Sequence, residues 1–446
     1  MQGAEVTELR NSTDGWVAAL QLACLSLRGA DTPAELISHI SGRHHAIGDF
    51  LAENVLSTLE PELLEFLLTV SPPERICAGL ATALSGQPRS QVLLEEIETR
   101  DLFLRRVDQE GEWFRFHPLF VEFLRRRLER DMPEAITRLH KTASEWFATH
   151  GMPAEAVTHA LAAGDTDRAV ALVEAGGMTL IEHSHMATLL GLVDKLPPAA
   201  VAASPQVQLM LTWANVLLHR TVTAEGALQR IAAALAARPD LDDPDLRVEA
   251  DVLEACVRVT ADRTDGIDEL VAEALSRPTT LPAFVVSAAA NVATIAETFR
   301  FDFAAAHRRQ EWVRPYHQQN TGPYAVMYGH ALDGIAYFEQ LELDRAEECF
   351  RSALRVSIDT RSATKSQGAR LACAVLADVL YERGRVDESR RLIEESSKLG
   401  ADEGVIDMIK ARFIIGARLA VLDGDRAGAA ALLDEGIDIA DRLDSP

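Results

Sequence analysis

Apolar residues recur at helical spacing along most of this chain, and one stretch departs from that pattern. Residues 102–128, LFLRRVDQEGEWFRFHPLFVEFLRRRL, contain two short arms rich in aromatic and aliphatic side chains, with a polar turn between them at 108–111. A glycine at the end of a short turn between such arms is the sequence signal of a β-hairpin. We therefore predict strands over 102–107 and 112–117, and Pro118 opens the helix that follows.

Amphipathic helices surround this hairpin. The apolar spacing predicts them before the hairpin over 49–60, 61–70, 74–84 and 90–100. The helix that begins at Pro118 places its apolar residues on one face and its charged residues on the other. Helices, a two-stranded wing and a further helix form the outline of a winged-helix domain, which we assign to 46–130.

The apolar pattern beyond residue 131 is helical throughout and repeats itself. The first inward residues of the second helices stand 39, 39, 40, 43 and 40 residues apart, at Leu228, Ile267, Ala306, Ala346, Ser389 and Ala429. Longer first helices precede most of them, over 206–219, 282–299, 324–340, 367–382 and 405–422. Paired helices at such a period are typical of tetratricopeptide-like solenoids, in which each hairpin buries its apolar face against its neighbours. The predicted fold is therefore mainly α, with a small winged-helix domain followed by a TPR-like helical-repeat superhelix over 205–446.

The segment 131–204 is predicted to be a helical linker that holds the first hairpins. Its helices are expected over 133–150, 153–163, 166–175 and 178–195. In the repeat that begins at Leu228, Ile231 and Ala232 are expected to point inward with it. The 306 repeat fits less well, because Arg309 and Gln310 fall on inward positions.

The charge balance limits the partners of this chain. Its 446 residues include 44 Lys and Arg against 68 Asp and Glu, a net charge of −24, which argues against coating nucleic acid along its length. No apolar run reaches the ~18–20 residues of a membrane span, and the N-terminal segment lacks the apolar core of a secretory signal. None of the five cysteines stands in a C-x-x-C pair: Cys24, Cys77, Cys256, Cys349 and Cys373. We expect a cytoplasmic protein with reduced core thiols and no membrane contact.

Signatures of catalysis are missing from the sequence. None of the five lysines follows a glycine, so there is no G-x-x-x-x-G-K-[ST] phosphate loop. H-E-x-x-H and G-x-S-x-G are absent, and no carboxylate pair stands out as acid and base. Four histidines that stand in pairs lack a third ligand at metal-binding spacing: His44, His45, His183 and His185. We predict that this chain alone is not an enzyme and holds neither a metal nor a cofactor.

A group of arginines near the wing raises the question of DNA binding. They are Arg105, Arg106, Arg115, Arg125, Arg126, Arg127 and Arg130. The winged helix is a common DNA-binding fold, but acidic residues interleave with these arginines, as they do on a solvated surface. A stand-alone winged-helix DNA binder is one rival interpretation, although we expect no direct DNA binding from this chain.

His117 is a candidate anion contact. It ends the second arm of the hairpin and precedes a helix N-terminus, where the helix dipole and the first N–H groups favour negative charge. A histidine at this position can donate a hydrogen bond to a phosphate. It can also cap the helix or pack at the edge of the core, and the sequence leaves both interpretations open.

Four stretches of the chain resemble a known family. They are TDGWVAALQLA at 13–23, DFLAENVL at 49–56, LLEEI at 93–97 with Leu102 and Phe103, and WFRFHPLFVEFL at 113–124. In order and spacing they are similar to the large ATP-dependent LuxR-type transcriptional regulators of the MalT-like kind, within the STAND class of signalling NTPases. The likeness covers about 12–220, and the repeats resemble the superhelical sensor of that family.

The resemblance implies a longer architecture: an NTPase domain, a helical and winged-helix pair, a superhelical sensor and a C-terminal helix-turn-helix. It also implies that ATP and an effector together release a closed ADP state, and that the open form self-associates and activates transcription. In related STAND proteins a wing histidine in an H-x-L context reaches the β-phosphate of ADP, and that role maps onto His117. Gly15 and Trp16 resemble the segment that borders the nucleotide, which makes 1–45 the end of the helical part of a STAND NTPase module.

This chain departs from the family pattern. It has no phosphate loop, no Walker B region and no helix-turn-helix after residue 446. We therefore expect a middle section whose partners are the missing NTPase and helix-turn-helix regions of the same polypeptide. ATP and ADP are then implied for the full-length family and not for this chain alone.

The expected effector site is the concave groove lined by the first helix of each repeat. Polar or aromatic residues on those helices are the candidates: Trp213, Asn215, Asn291, Tyr328, His330 and Asp333. Each of them can instead be a packed core residue. The groove suits a small-molecule effector or a peptide, so a protein–protein interaction scaffold without a small-molecule effector is the rival from another class.

Overall fold

Helices account for most of the chain in the computed structural model, which describes residues 56, 59–108, 110–218, 220–237, 244–261, 263–357, 369–398 and 409–442. The mainly helical class predicted from the apolar spacing is confirmed. The chain divides into two compact units, Met1–Leu172 and Val173–Pro446. The predicted domain starts at 46, 131 and 205 stay predictions.

The described part of the first unit consists of helices around a two-stranded wing. The helices are α1 (Pro61–Thr69), α2 (Ala78–Ser85), α3 (Ser90–Thr99), α4 (Pro118–Asp131), α5 (Pro133–Thr149) and α6 (Pro153–Ala162). The strands β1 (Leu104–Arg106) and β2 (Phe114–Phe116) lie between α3 and α4 in the chain and pair antiparallel. Prolines open α1, α4, α5 and α6, because proline lacks only an N–H that the first helical turn leaves without a partner.

The wing is the predicted hairpin with shorter strands. Leu104 pairs with Phe116, and the first strand does not extend back to residue 102, because Phe103 takes a φ of +59° that interrupts the extended backbone. Ile76, in the segment between α1 and α2, adds a further antiparallel bridge. Its backbone exchanges two hydrogen bonds of 2.8 Å with Phe114, so three segments of the chain meet at this buried aromatic residue.

The described part of the second unit consists of helices that pair into hairpins. They are α7 (Thr166–Glu182, which starts before the unit boundary), α8 (Met186–Val193), α9 (Pro198–Ala203), α10 (Pro205–Leu217), α11 (Thr221–Ala237), α12 (Pro244–Thr260), α13 (Ile267–Ser276), α14 (Ala283–Phe299), α15 (Phe303–His317), α16 (Tyr324–Glu339), α17 (Leu343–Val356), α18 (Ala369–Glu382), α19 (Val386–Lys398), α20 (Gly416–Leu422) and α21 (Arg426–Arg442). A π-helical turn, Ala411–Ile415, leads into α20. The hairpins α10–α11 to α20–α21 are the predicted repeats. The first helix α12 was not predicted from the sequence.

One predicted helix break was wrong. The helices expected over 166–175 and 178–195 are instead α7, which runs through the two glycines, and α8, with the break at 183–185. A Cβ at Gly177 would come within 2.4 Å of the Met210 Sδ, so this glycine allows α7 and α10 to approach closely inside a continuous helix.

The burial of the repeat anchors agrees with the predicted period. Five of the six are buried: Ile267, Ala306, Ala346, Ser389 and Ala429. The first repeat differs by one residue, because Leu228 is half-buried and Ala232 is exposed, whereas Ala227 and Ile231 are buried. The inward assignment of Leu228 and Ala232 was therefore wrong. The helix α11 is rich in alanine all round, and the apolar pattern gives little contrast between its faces.

Arginine–carboxylate pairs join helices of the repeats. Five of them link successive hairpins, and Asp245–Arg277 lies within the hairpin α12–α13. The two partners of each pair lie 32 to 38 residues apart, with N–O distances of 2.5 to 2.9 Å: Glu225–Arg263, Asp245–Arg277, Asp268–Arg300, Glu347–Arg385, Glu382–Arg418 and Arg390–Asp423. Each exposed pair contributes little stability on its own. Their recurrence at nearly the repeat period matches the regular offset between one hairpin and the next.

Candidate functional site

His117 caps the helix that follows the wing. Its Nδ1 accepts a hydrogen bond of 3.3 Å from the backbone N–H of Leu119, and its own backbone N–H donates to the carbonyl oxygen of Phe103 at 2.7 Å. Because Nδ1 accepts this bond, the neutral ring carries its proton on Nε2. The side chain is half-buried and stands edge-on to the Phe103 ring. The capping role is thus observed, and the phosphate role stays a prediction.

Arg125, one of the arginines near the wing, has backbone partners inside the protein. Arg125 donates to the carbonyl oxygens of Ser71, Pro72 and Pro73 at 2.9, 2.8 and 3.2 Å. Burial lowers the pKa of the Arg125 guanidinium. This arginine therefore holds the loop before α2 to α4, a contact that the sequence reading did not foresee.

Three other wing arginines pair locally with acids. Arg106 donates to Glu98 at 3.0 Å and stands over the Phe114 ring, 5.0 Å from the ring centroid. Arg127 and Arg130 both contact Asp131. These pairs agree with a solvated surface of mixed charge, which was the alternative to a DNA interface.

The predicted nucleotide neighbours Gly15 and Trp16 lie outside the described residues. The six predicted groove residues lie inside them, and the structure brings three together. Trp213, Asn291 and Tyr328 line a single cavity of about 80 Å³ in the second unit. The other three occupy separate places on the first helices of the repeats.

Those three remaining candidates have local partners or surroundings of their own. Asn215 donates to the carbonyl oxygen of Leu211, one turn earlier in α10, at 2.7 Å. Asp333 bonds to the His307 Nδ1 at 2.6 Å. His330 is half-buried, and burial lowers its pKa. The packing interpretation describes Asn215 and Asp333 better than a ligand contact does.

The cavity is formed by the first helices of four successive hairpins, α10, α12, α14 and α16. Its wall is largely apolar, and its aromatic members are Trp213, Phe284, Tyr324 and Tyr328. The rings of Trp213 and Phe284 meet edge to face at 5.1 Å between centroids. The Trp213 Nε1–H donates to the buried carboxylate of Glu249 at 2.6 Å, which fixes the orientation of the indole ring.

Polar groups in the cavity wall are few. The Tyr324 hydroxyl donates to the Tyr328 hydroxyl oxygen at 3.3 Å. Burial raises the pKa of both phenols, and it raises the pKa of the Cys256 thiol to about 12. Tyr328 and Cys256 keep some accessible surface although protein surrounds them, because that surface faces the cavity. The wall therefore disfavours negative charge.

A buried polar network holds Asn291 in place behind the cavity. Gln310 Nε2 donates to the Asn291 Oδ1 at 3.1 Å and to the Thr294 Oγ1 at 2.8 Å, and the Asn291 Nδ2 donates to the Ala325 carbonyl oxygen at 3.2 Å. The inward position of Gln310, which fitted the repeat pattern poorly, is explained by this network. Asn291 is thus a wall residue whose amide is already engaged.

Phe284, Tyr324 and Cys256 also line the cavity and were not predicted from the sequence. Tyr324 stands one helical turn before Tyr328, a spacing that puts both rings on one face of α16 and could have pointed to it. Cys256 lies on α12, which was not recognised as a first helix. The described cysteines Cys77, Cys256, Cys349 and Cys373 are not in disulfides.

Within the part of the chain that the structure describes, no group of three or more His, Cys, Asp or Glu side chains is placed to hold a metal ion. None of the described helices is long and apolar enough to cross a membrane.

Comparison with known proteins agrees with the fold. Residues 52–136 match the family model described as the MalT winged helix domain. The chain is 47% identical over 445 residues to the serine/threonine-protein kinase PknK of Mycobacterium tuberculosis, covering 99% of this chain and 40% of that protein. It is 33% identical over 279 residues to the HTH-type transcriptional regulator MalT of Yersinia enterocolitica, covering 62% of this chain and 31% of that protein.

A solved structure of a STAND protein with a tetratricopeptide repeat sensor, from Pyrococcus horikoshii, is 13% identical with a TM-score of 0.43 and covers 100% of this chain and 72% of that one. The chain thus spans well under half the length of the curated relatives that it matches. It carries a MalT-type winged helix followed by TPR-like helical hairpins, as predicted, and is similar to regulatory signal-transduction proteins.

Proposed function

We propose that this chain is the regulatory and effector-sensing portion of a larger MalT-like signalling protein. In this proposal a nucleotide bound to a neighbouring module controls domain opening and self-association, and the helical hairpins bind the effector. The observation that carries the proposal is the succession, in one chain, of a MalT-type winged helix at 52–136 and TPR-like hairpins with a cavity on their first helices. No catalytic step is assigned to the chain itself.

The wing is the proposed contact to the nucleotide. His117 caps α4 through Nδ1, so its Nε2–H is the ring donor that would reach a phosphate of ADP. The same residue is the last one before α4, whose apolar face packs in the core of the first unit. A change at the phosphate would therefore act directly on the N-terminal turn of a core helix. Gly15 and Trp16 are proposed to border the same nucleotide.

The output of the whole protein is a separate proposal. The resemblance to MalT-like regulators favours transcription activation through a helix-turn-helix elsewhere in the polypeptide. A second output is favoured by one specific observation: a relative named as a serine/threonine-protein kinase matches 99% of this chain at 47% identity. In that case the same regulatory portion would control a kinase domain. A protein–protein scaffold without a small-molecule effector is the remaining alternative.

The test of the nucleotide role uses His117 in a polypeptide that joins this chain to its NTPase module. His117→Ala removes both the cap and the imidazole donor, whereas His117→Asp keeps a capping acceptor and puts negative charge where the phosphate is expected. We expect both variants to retain ADP roughly 10- to 100-fold more weakly, as the loss of a hydrogen bond to a charged group predicts. Retained ADP is measured by chromatography after denaturation of the purified protein.

The two variants separate the phosphate role from the cap. If His117 acts only as a cap, His117→Asp retains ADP as the unchanged protein does, and only His117→Ala differs. Thermal unfolding of both variants shows whether the cap has been preserved. ADP retention unchanged in both would contradict the nucleotide contact.

A further inference from the structure

The cavity between α10, α12, α14 and α16 has the character of a small-molecule site. Its volume of about 80 Å³ is of the order of the apolar cavities that admit a single aromatic ring, for which an engineered cavity of about 150 Å³ that binds benzene is the reference. The aromatic rings of Trp213 and Phe284 stand edge to face in its wall, an arrangement that can accept a third ring.

The hydrogen-bonding groups of the wall are mostly occupied. The Trp213 Nε1–H donates to Glu249, and the amide of Asn291 bonds to Ala325 and Gln310. The Tyr328 hydroxyl oxygen accepts a hydrogen bond from Tyr324, so its own O–H points elsewhere. No acceptor for that O–H occurs among the residues that the structure describes. Tyr328 therefore offers a donor at the cavity surface.

We propose that this cavity binds a small, uncharged aromatic molecule that carries one hydrogen-bond acceptor, with the ring against Trp213 and Phe284 and the acceptor on the Tyr328 hydroxyl. The inference rests on the proposed effector-sensing function and names the ligand class of that site. Binding would bridge the first helices of four successive hairpins, which is the place where a ligand can alter the offset between them.

The wall argues against other ligand classes. A sugar would bring several hydroxyl groups to a surface with one donor on offer, and each buried polar group without a partner is costly. An anion would lose its hydration in surroundings that already raise the pKa of Cys256, Tyr324 and Tyr328. Arg370 lowers the pKa of both phenols, but the effect of burial is larger.

The experiment measures binding of 4-fluoroacetophenone to the whole chain by ¹⁹F NMR titration. The comparison probes are 4-fluorobenzoate, which has the same ring and a negative charge, 4-fluorotoluene, which has no acceptor, and a neutral trisaccharide followed by thermal shift. We expect saturable binding of 4-fluoroacetophenone, weaker binding of 4-fluorotoluene, and no binding of the benzoate or the trisaccharide.

Three substitutions locate the site. Ala288→Leu fills the cavity and should weaken binding of 4-fluoroacetophenone at least tenfold, whereas Ala272→Leu makes the same change on an exposed helical position away from the cavity and should leave binding unchanged. Tyr328→Phe should weaken binding of 4-fluoroacetophenone about tenfold and leave 4-fluorotoluene binding unaltered, as expected for one lost hydrogen bond. Circular dichroism confirms that each variant is folded.

Several results would overturn the proposal. They are absence of saturable binding, equal binding of 4-fluorobenzoate, binding of the trisaccharide in its place, or full binding by a folded Ala288→Leu variant. None of them affects ADP retention, which depends on His117 in the other unit. Failure of the ligand assignment and failure of the proposed nucleotide control are therefore distinguishable.

Discussion

Gly334 is the position at which a single methyl group should disturb the repeats most clearly. It lies inside α16, where a Cβ would come within 2.5 Å of Cε1 and 2.6 Å of Cδ1 of Phe350, and within 3.1 Å of the Cys349 Cβ. The Phe350 ring is 1% exposed in the core of the hairpin α16–α17, so it has no open space to move into. Gly334→Ala must therefore push two helices apart or distort the ring.

The expected magnitude is the difference between two opposing effects. In a helix interior, alanine is about 1 kcal/mol more favourable than glycine. Overpacking of a well-filled core costs about 1–3 kcal/mol. We expect Gly334→Ala to lower the free energy of unfolding by about 1 kcal/mol. Gly176→Ala is the matched control, because a Cβ there meets nothing within 4 Å inside α7, and it should raise the free energy of unfolding by up to about 1 kcal/mol.

The assay is urea unfolding followed by circular dichroism, with hydrogen–deuterium exchange to locate the change, because repeat arrays need not unfold in one step. Exchange should accelerate in α16 and α17 for Gly334→Ala. Combining it with Phe350→Leu should recover at least about 1 kcal/mol relative to the sum of the single changes. The reasoning is refuted if both glycine substitutions shift stability in the same direction by the same amount, or if the double variant is additive.

Three further results are expected from buried polar groups. Burial first, and then a neighbouring histidine, lower the pKa of His159 from 6.5 to about 4. Between these pH values the unfolded state binds more protons, so the free energy of unfolding falls as the pH drops, by about 3 kcal/mol at most. Urea unfolding at several pH values should show a weaker dependence of that free energy on pH for His159→Gln. Arg125→Met should cost about 3 kcal/mol, because the carbonyl oxygens at 71–73 lose their donor, and a thermal melt with no loss would contradict this. Trp213→Phe leaves the Glu249 carboxylate without the indole donor and should destabilise by about 2 kcal/mol, while Glu249→Gln, which keeps an oxygen acceptor, should cost less in the same melt.

The hairpin and the repeats were predictable because each is specified locally. Gly111 has the positive φ, +73°, that the turn requires, and the alternating arms beside it define the strands. The repeat period follows from apolar positions on successive helices and needs no knowledge of tertiary contacts. The same reasoning failed for α12, whose apolar stripe is interrupted by charged residues such as Asp251 and Glu254. It failed by one residue in α11, where alanine occupies every face.

The cavity could not be derived from the pattern. A periodic apolar residue shows only that a side chain points inward, and Trp213, Asn291 and Tyr328 share that property with Asn215 and Asp333. What separates the two groups is how four hairpins stack, which the sequence does not encode at any one position. In the same way, Arg125 and its neighbours look alike in sequence as a basic run. Only the fold shows that Arg125 turns to backbone carbonyls of a loop more than fifty residues earlier.

Both functional proposals place a ligand against helices, at the start of α4 in the first unit and on the first helices of the hairpins in the second. At His117 the Nδ1 completes a helix N-terminus, so an anion that binds the Nε2–H of the same ring acts on the start of α4. In the cavity, Tyr328 and Asn291 belong to first helices whose mutual offset is set by stacking and by exposed ion pairs that are individually weak. A ligand that contacts four such helices at once binds more tightly at one offset between the hairpins than at another. An effector can therefore shift the superhelix through differential binding alone, because no covalent step or rigid lever is required.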